Sequence, residues 1–131
     1  MTATVAWANE EKTLVIQRID GDWTMADYFE VVHKSAELLK TVDHQVDIIV
    51  DLSTTNYVPQ NVISGATRTE SVVPPNQRMV VFVGAKMIHK LLLSLGKRLA
   101  PRAAHNQHFV TSMEEAHALI ERFQLAEVEE A

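Results

Sequence analysis

Two groups of polar residues that follow apolar runs are the strongest candidates for a ligand site. The runs at 46–52 and 78–83 are each typical of a strand covered on both faces of a sheet. The candidate residues at or beyond their ends are Asp51, Ser53, Thr54, Thr55, Asn56, Gly84 and Lys86. In an open α/β sheet, ligands collect beyond the carboxyl ends of the strands, where Lys86 could bind an anion. The alternative is that the Ser, Thr and Asn side chains only satisfy the backbone of turns.

A predicted helix from Lys86 to Ala100 carries a second candidate, a surface for a partner. At about 100° per residue, its lysines fall on one stripe, and five apolar residues at positions 88, 91, 92, 95 and 99 fall on the side that should face the core. Leu93 falls inside the lysine stripe. The predicted interface comprises Lys86, His89, Lys90, Leu93 and Lys97. It would suit an acidic protein or an anionic lipid head group, whereas the alternative is a solvated basic face.

Most enzymatic, metal and cofactor chemistries lack their motifs. The chain has no cysteine, and its four glycines form neither a phosphate-binding loop nor a hydrolase elbow. His105 and His108 would point to opposite faces of a strand, which argues against a zinc site. We therefore expect no catalytic residues, no bound metal and no cofactor.

The net charge and the pattern of apolar residues limit the possible partners of the protein and its location in the cell. The net charge of −5 argues against general nucleic-acid binding, which needs clustered basic residues. The apolar runs are too short to span a bilayer, and the first residues lack the pattern of a signal peptide. The expectation is a cytoplasmic protein without integral membrane contact.

The remaining patterns predict one α/β domain. A hairpin is expected at 4–19, followed by a helix that starts with a capping box between Thr24 and Asp27. Further helices are expected from Pro59 to Val73, from 86 to 100, and after a second capping box formed by Ser112 and Glu115. The order β-β-α-β-α-β-α-β-α predicts a mixed, mostly parallel central sheet with helices packed on it. The domain should cover 1–125, with an acidic tail at 126–131.

This order, together with Val50-Asp51-Leu52-Ser53 leading into a loop, resembles the STAS family, which includes the SpoIIAA-like anti-sigma-factor antagonists and related STAS/SEC14-like bacterial proteins. Three further segments resemble its uncharacterised branch: Gly21-Asp22-Trp23-Thr24, Asp43-His44 and Pro74-Pro75-Asn76. The resemblance covers nearly the whole chain as topology but only a few residues as motif.

The sequence departs from this family at the phosphorylation switch. In the antagonists an Asp-Ser pair begins the second helix, and that serine accepts the phosphoryl group. The matching positions here are Pro59 and Gln60, neither of which has a hydroxyl. The resemblance thus implies a non-enzymatic interaction or regulatory module without this switch, binding a protein partner or itself as a homodimer.

A second hypothesis is a carrier of a small molecule or lipid, as the SEC14-like relation implies. It requires a cavity between the sheet and the helices, lined by residues such as Trp7, Trp23, Phe29, Met79 and Phe82. The same residues could instead fill the core.

Overall fold

The computed structural model describes residues 3–60, 65, 68–99 and 106–130, with only the backbone at 95–99 and 127–130. Its elements are β1 (Ala3–Trp7), β2 (Leu14–Ile19), α1 (Met25–Lys40), β3 (Val46–Asp51), a 3₁₀ turn (Glu70–Val72), β4 (Gln77–Val83), α2 (Met87–Leu99), β5 (Gln107–Val110) and α3 (Met113–Glu130). The five strands form one sheet in the order β1-β2-β3-β4-β5. The hairpin pair β1–β2 is antiparallel and the next three pairs are parallel. The predicted α/β class and the mixed sheet are confirmed.

Alternation along the strands builds two separate cores, one on each face of the sheet. On the first face, Ile48 and Val80 pack beneath α1 and α2. On the second face, their neighbours Ile49 and Val81 pack beneath α3. Because successive strand residues point to opposite faces, a strand covered on both faces must be apolar at nearly every position. This explains why β3 and β4 read as continuous apolar runs.

A buried ion pair interrupts the second face. Asp47 is only 1% exposed, and both of its oxygens accept from Arg78, Oδ1 from Nε at 2.9 Å and Oδ2 from an NH2 nitrogen at 2.6 Å. The register shifts by one residue here, since Val46 pairs with Gln77 but Ile48 pairs with Val80. This bulge sets two residues of β4 opposite Asp47, which lets the guanidinium reach the carboxylate.

The helix starts follow the sequence signals closely. Thr24 accepts from the Asp27 amide at 3.1 Å, and the Asp27 carboxylate accepts from the Thr24 amide at 2.9 Å, so the predicted capping box is complete. At α3 the Ser112 hydroxyl accepts from the Glu115 amide, as predicted. The Glu115 carboxylate, however, accepts from the amide and hydroxyl of Thr111 rather than from Ser112.

Two predicted boundaries differ from the structure. Within the predicted helix from Pro59 to Val73, Gly65 and Arg68 are helical, but Pro59 and Gln60 are not, and Val73 is extended after the 3₁₀ turn; residues 61–64, 66 and 67 lie outside the described part. The residues predicted as an acidic tail, 126–130, continue α3 to Glu130. Across the described residues, none of the helices is long and apolar enough to cross a bilayer.

Candidate functional site: a sheet–helix cavity and its rim

A cavity of about 160 Å³ lies between the first face of the sheet and helices α1 and α2. Its floor consists of apolar side chains from the two central strands: Ile48, Val50, Val80 and Phe82. Its roof includes Ser35 and Ala36 from α1 and Leu92 and Leu93 from α2. Apolar cavities of about 150 Å³ can stay dry and bind molecules as small as benzene, so this volume suits a compact ligand.

The carrier hypothesis named five aromatic or sulfur-containing residues, and the structure brings two of them to the cavity. Trp23 and Phe82 are among the lining residues. Met79 belongs instead to the core on the opposite face of the sheet. Trp7 packs against the first core without lining the cavity, and the Phe29 ring lies beneath the Arg68 guanidinium at 5.0 Å.

Polar side chains interrupt the apolar wall at defined points. Gln17 on β2 donates from Nε2 to the Ser35 hydroxyl at 2.7 Å, and both residues are buried. Burial raises the pKa of the Tyr28 hydroxyl above its ordinary value of 10.0, although a hydrogen bond with Thr69 partly opposes this rise. Tyr28 is therefore a neutral hydroxyl at physiological pH.

Gln107, at the start of β5, contributes the least satisfied group of the wall. It pairs with Val80 in the sheet and therefore faces the cavity side. Its Oε1 atom is buried and accepts no hydrogen bond from any residue in the described part of the chain. A buried amide oxygen without a donor is uncommon in native proteins and calls for an explanation.

One backbone carbonyl joins the cavity to the loop that follows β3. The Tyr57 oxygen faces the Trp23 indole Nε1 at 3.0 Å and His89 Nε2 at 3.2 Å. His89 Nδ1 accepts from the Lys86 amide at 3.0 Å, so Nε2 carries the proton and donates to Tyr57. Two ring N–H groups thus hold residues 52–57, which we call the rim loop, against α1 and α2.

The structure divides the seven predicted rim residues among three places. Lys86 Nζ donates to the carbonyls of Ser53 at 3.3 Å and Gly84 at 3.1 Å, which brings these three residues together. The Asp51 carboxylate accepts from the Ser53 amide and hydroxyl.

The other rim residues point elsewhere. The Thr54 hydroxyl donates to the Asp20 carboxylate, and the Thr55 hydroxyl donates to the Gly21 carbonyl at 2.6 Å. Asn56 is exposed. Of these hydroxyl groups, that of Thr55 contacts a backbone carbonyl, whereas those of Ser53 and Thr54 contact carboxylates; ligand binding at the rim stays a prediction.

The predicted phase of α2 is wrong, and the predicted interface is not one exposed stripe. His89 is buried and Leu93 packs against the first core, while Ile88 and Leu91 are exposed rather than buried. Lys86 and Lys90 remain near the surface, and the Lys97 side chain lies outside the described residues. The helix turns His89 and Leu93 inward because they are four residues apart and share a face, and His89 is held by its two hydrogen bonds.

Sequence reasoning missed the polar residues of the cavity wall. Gln17 could have been found, because it occupies an inward position between Val15 and Ile19 in an alternating strand. Gln107 offers no such signal, since β5 has only four residues and its neighbours Asn106 and His108 are also polar. Among the described residues, no three His, Asp or Glu side chains lie close enough together to hold a metal ion. Neither a protein-family model nor a curated protein matches this chain.

Proposed function

We propose that this protein binds a small, mostly apolar molecule in the sheet–helix cavity. The observation that carries the proposal is the cavity of about 160 Å³ on one face of the sheet, with an apolar floor and a few polar groups in its wall. This combination is the usual design of a small-molecule site, in which apolar contacts supply affinity and a few polar groups fix orientation. The proposed role is non-enzymatic and corresponds to the carrier hypothesis.

The two faces of the sheet provide an internal control for testing this proposal. Ile48 and Val80 line the cavity, whereas their neighbours Ile49 and Val81 are buried on the opposite face. Toluene titrated into protein with labelled methyl groups should shift the signals of Ile48 and Val80 in a saturable way. It should leave those of Ile49 and Val81 nearly unchanged. Equal small changes on both faces, or no saturable change, would refute a binding cavity.

Native mass spectrometry of freshly purified protein gives an independent measurement. A binding protein of this kind should carry an adduct that is lost on denaturation, and addition of excess toluene should displace it. A species without adduct that also fails to take up toluene contradicts the proposal.

A second candidate is the interaction module that the STAS-like resemblance implies. The α/β class of the fold is compatible with that family, and the outer side of α2 exposes Met87 at 81%, Ile88 at 44% and Leu91 at 58%. Apolar side chains grouped on one helix face favour a contact with a partner or a second copy of the chain. A dimer mass in the same native spectrum, without adduct, would favour this candidate over the carrier.

A further inference from the structure

The unpaired oxygen of Gln107 defines one requirement of the cavity's ligand. Oε1 is buried at the β5 end of the cavity, while the hydrogen-bonded pair of Gln17 and Ser35 lies at the β2 end. Three strand spacings of about 4.8 Å separate β2 from β5, so the two strands are roughly 14 Å apart. The pair at the β2 end is satisfied within the protein, and the oxygen at the β5 end is not.

An amide oxygen that has left water without gaining a donor lowers the stability of the protein. A leucine or methionine at position 107 would fill the same space without this cost. Retaining glutamine there is explained if a donor arrives from outside the chain.

The charges around the cavity limit the kind of molecule that can carry this hydrogen-bond donor. None of the described residues that line the cavity carries a formal charge, since His89 is held as the neutral Nε2–H form by Lys86 and Tyr57. An ionised group brought into these surroundings would lose its hydration without an opposite charge. A neutral O–H or N–H group meets no such penalty.

We infer that the ligand is a neutral molecule of about the size of a substituted benzene, with one O–H or N–H group that donates to Gln107 Oε1. This inference rests on the proposed ligand-binding function. The apolar body of the ligand lies over Val80 and Phe82, next to β5 in the sheet. Gln107 then determines specificity by selecting ligands that carry a donor.

Phenol and toluene test this inference because they have the same shape and differ in a hydroxyl against a methyl group. Their dissociation constants are measured with wild-type protein and with Gln107→Met, using the methyl signals of Ile48 and Val80. The preference for phenol over toluene should be about 10-fold greater in wild type than in Gln107→Met. Comparing the two proteins cancels the different hydration of the two probes. Gln77→Met, which changes another glutamine of the same wall, should keep the wild-type preference.

Melting temperatures separate a binding role from a structural one. Because Gln107→Met removes an unpaired buried oxygen, its melting temperature should equal or exceed that of wild type, and Gln107→Leu should behave in the same way. If both probes bind but the preference is the same in all variants, the role of Gln107 is refuted and the binding cavity stands. Lower melting temperatures for both Gln107→Met and Gln107→Leu would also refute the proposed role of Gln107. If neither probe binds wild type, the proposed function itself fails.

Discussion

Removing the guanidinium of Arg78 should destabilise this protein more than any change at an exposed charge. Arg78→Met leaves the Asp47 carboxylate, which is 1% exposed, without the arginine that binds both of its oxygens. Breaking a buried pair from one side costs about 3–5 kcal/mol. A chain of 131 residues has an unfolding entropy of about 0.28 kcal/mol/K, so the melting temperature should fall by about 11–18 °C.

The pair of Arg18 and Asp20 offers a matched control. These side chains also form an ion pair, with Nε and Oδ1 3.2 Å apart, but they are 52% and 37% exposed. Exposed pairs contribute about 1 kcal/mol or less, so Arg18→Met should lower the melting temperature by at most about 4 °C. Thermal unfolding followed by circular dichroism measures both variants under the same conditions.

The double variant Asp47→Leu/Arg78→Met distinguishes two contributions to the free energy of unfolding: the destabilisation by a lone buried charge and the net stabilisation by the ion pair. With both charges removed, the site becomes apolar, and much of the stability lost in Arg78→Met should return. The reasoning is refuted if Arg78→Met melts as close to wild type as Arg18→Met does. It is also refuted if the double variant is less stable than the single one.

Three further predictions concern the rim, a carboxyl group and the phase of α2. Gly84→Ala should lower the free energy of unfolding, measured in urea, by at least about 1 kcal/mol. Gly84 has a φ of +69°, and a Cβ there would lie 2.8 Å from the backbone of the rim loop. Unchanged stability would contradict this close approach. The hydroxyl of Thr54 lowers the pKa of Asp20 below 3.8, so this carboxyl stabilises the fold above that pH and the contribution is lost as the pH falls. Carbon-detected NMR titration should show a higher pKa for Asp20 in Thr54→Val, and an unchanged value would refute the assignment. Leu93→Asp should unfold the protein whereas Leu91→Asp should not, and the reverse order in circular dichroism would restore the phase predicted from sequence.

Where sequence patterns were unambiguous, they predicted the local structure well. The two β-like runs around Asn9 form the expected hairpin, and the Asn9 side chain closes its turn by accepting from the Thr13 amide at 3.0 Å. The predicted capping box of Thr24 and Asp27 forms at the start of α1. These features depend on residues close together in the chain, so propensity and spacing were enough.

The phase of α2 could not be predicted in this way. Five apolar residues share one side of this helix and Leu93 alone falls among the lysines, so helical periodicity favours the phase that the structure contradicts. The choice depends on His89, whose Nδ1 accepts from the Lys86 amide and whose Nε2 reaches the Tyr57 carbonyl, 32 residues earlier in the chain. A contact over that distance is not visible in helical periodicity.

The contrast between the two sheet faces argues that the cavity is more than imperfect packing. Both faces present the same kinds of strand residue, Ile48 and Val80 on one side and Ile49 and Val81 on the other. They differ in what covers them, because α1 and α2 leave a cavity over the first face, whereas Ala116 and Ile120 of α3 pack on the second. On the second face a buried charge is fully paired, by Asp47 with Arg78, and its role is structural. On the first face, Gln107 Oε1 accepts no hydrogen bond from the described residues and lies beside open volume. That combination is costly for an empty core but useful for a site that a ligand completes.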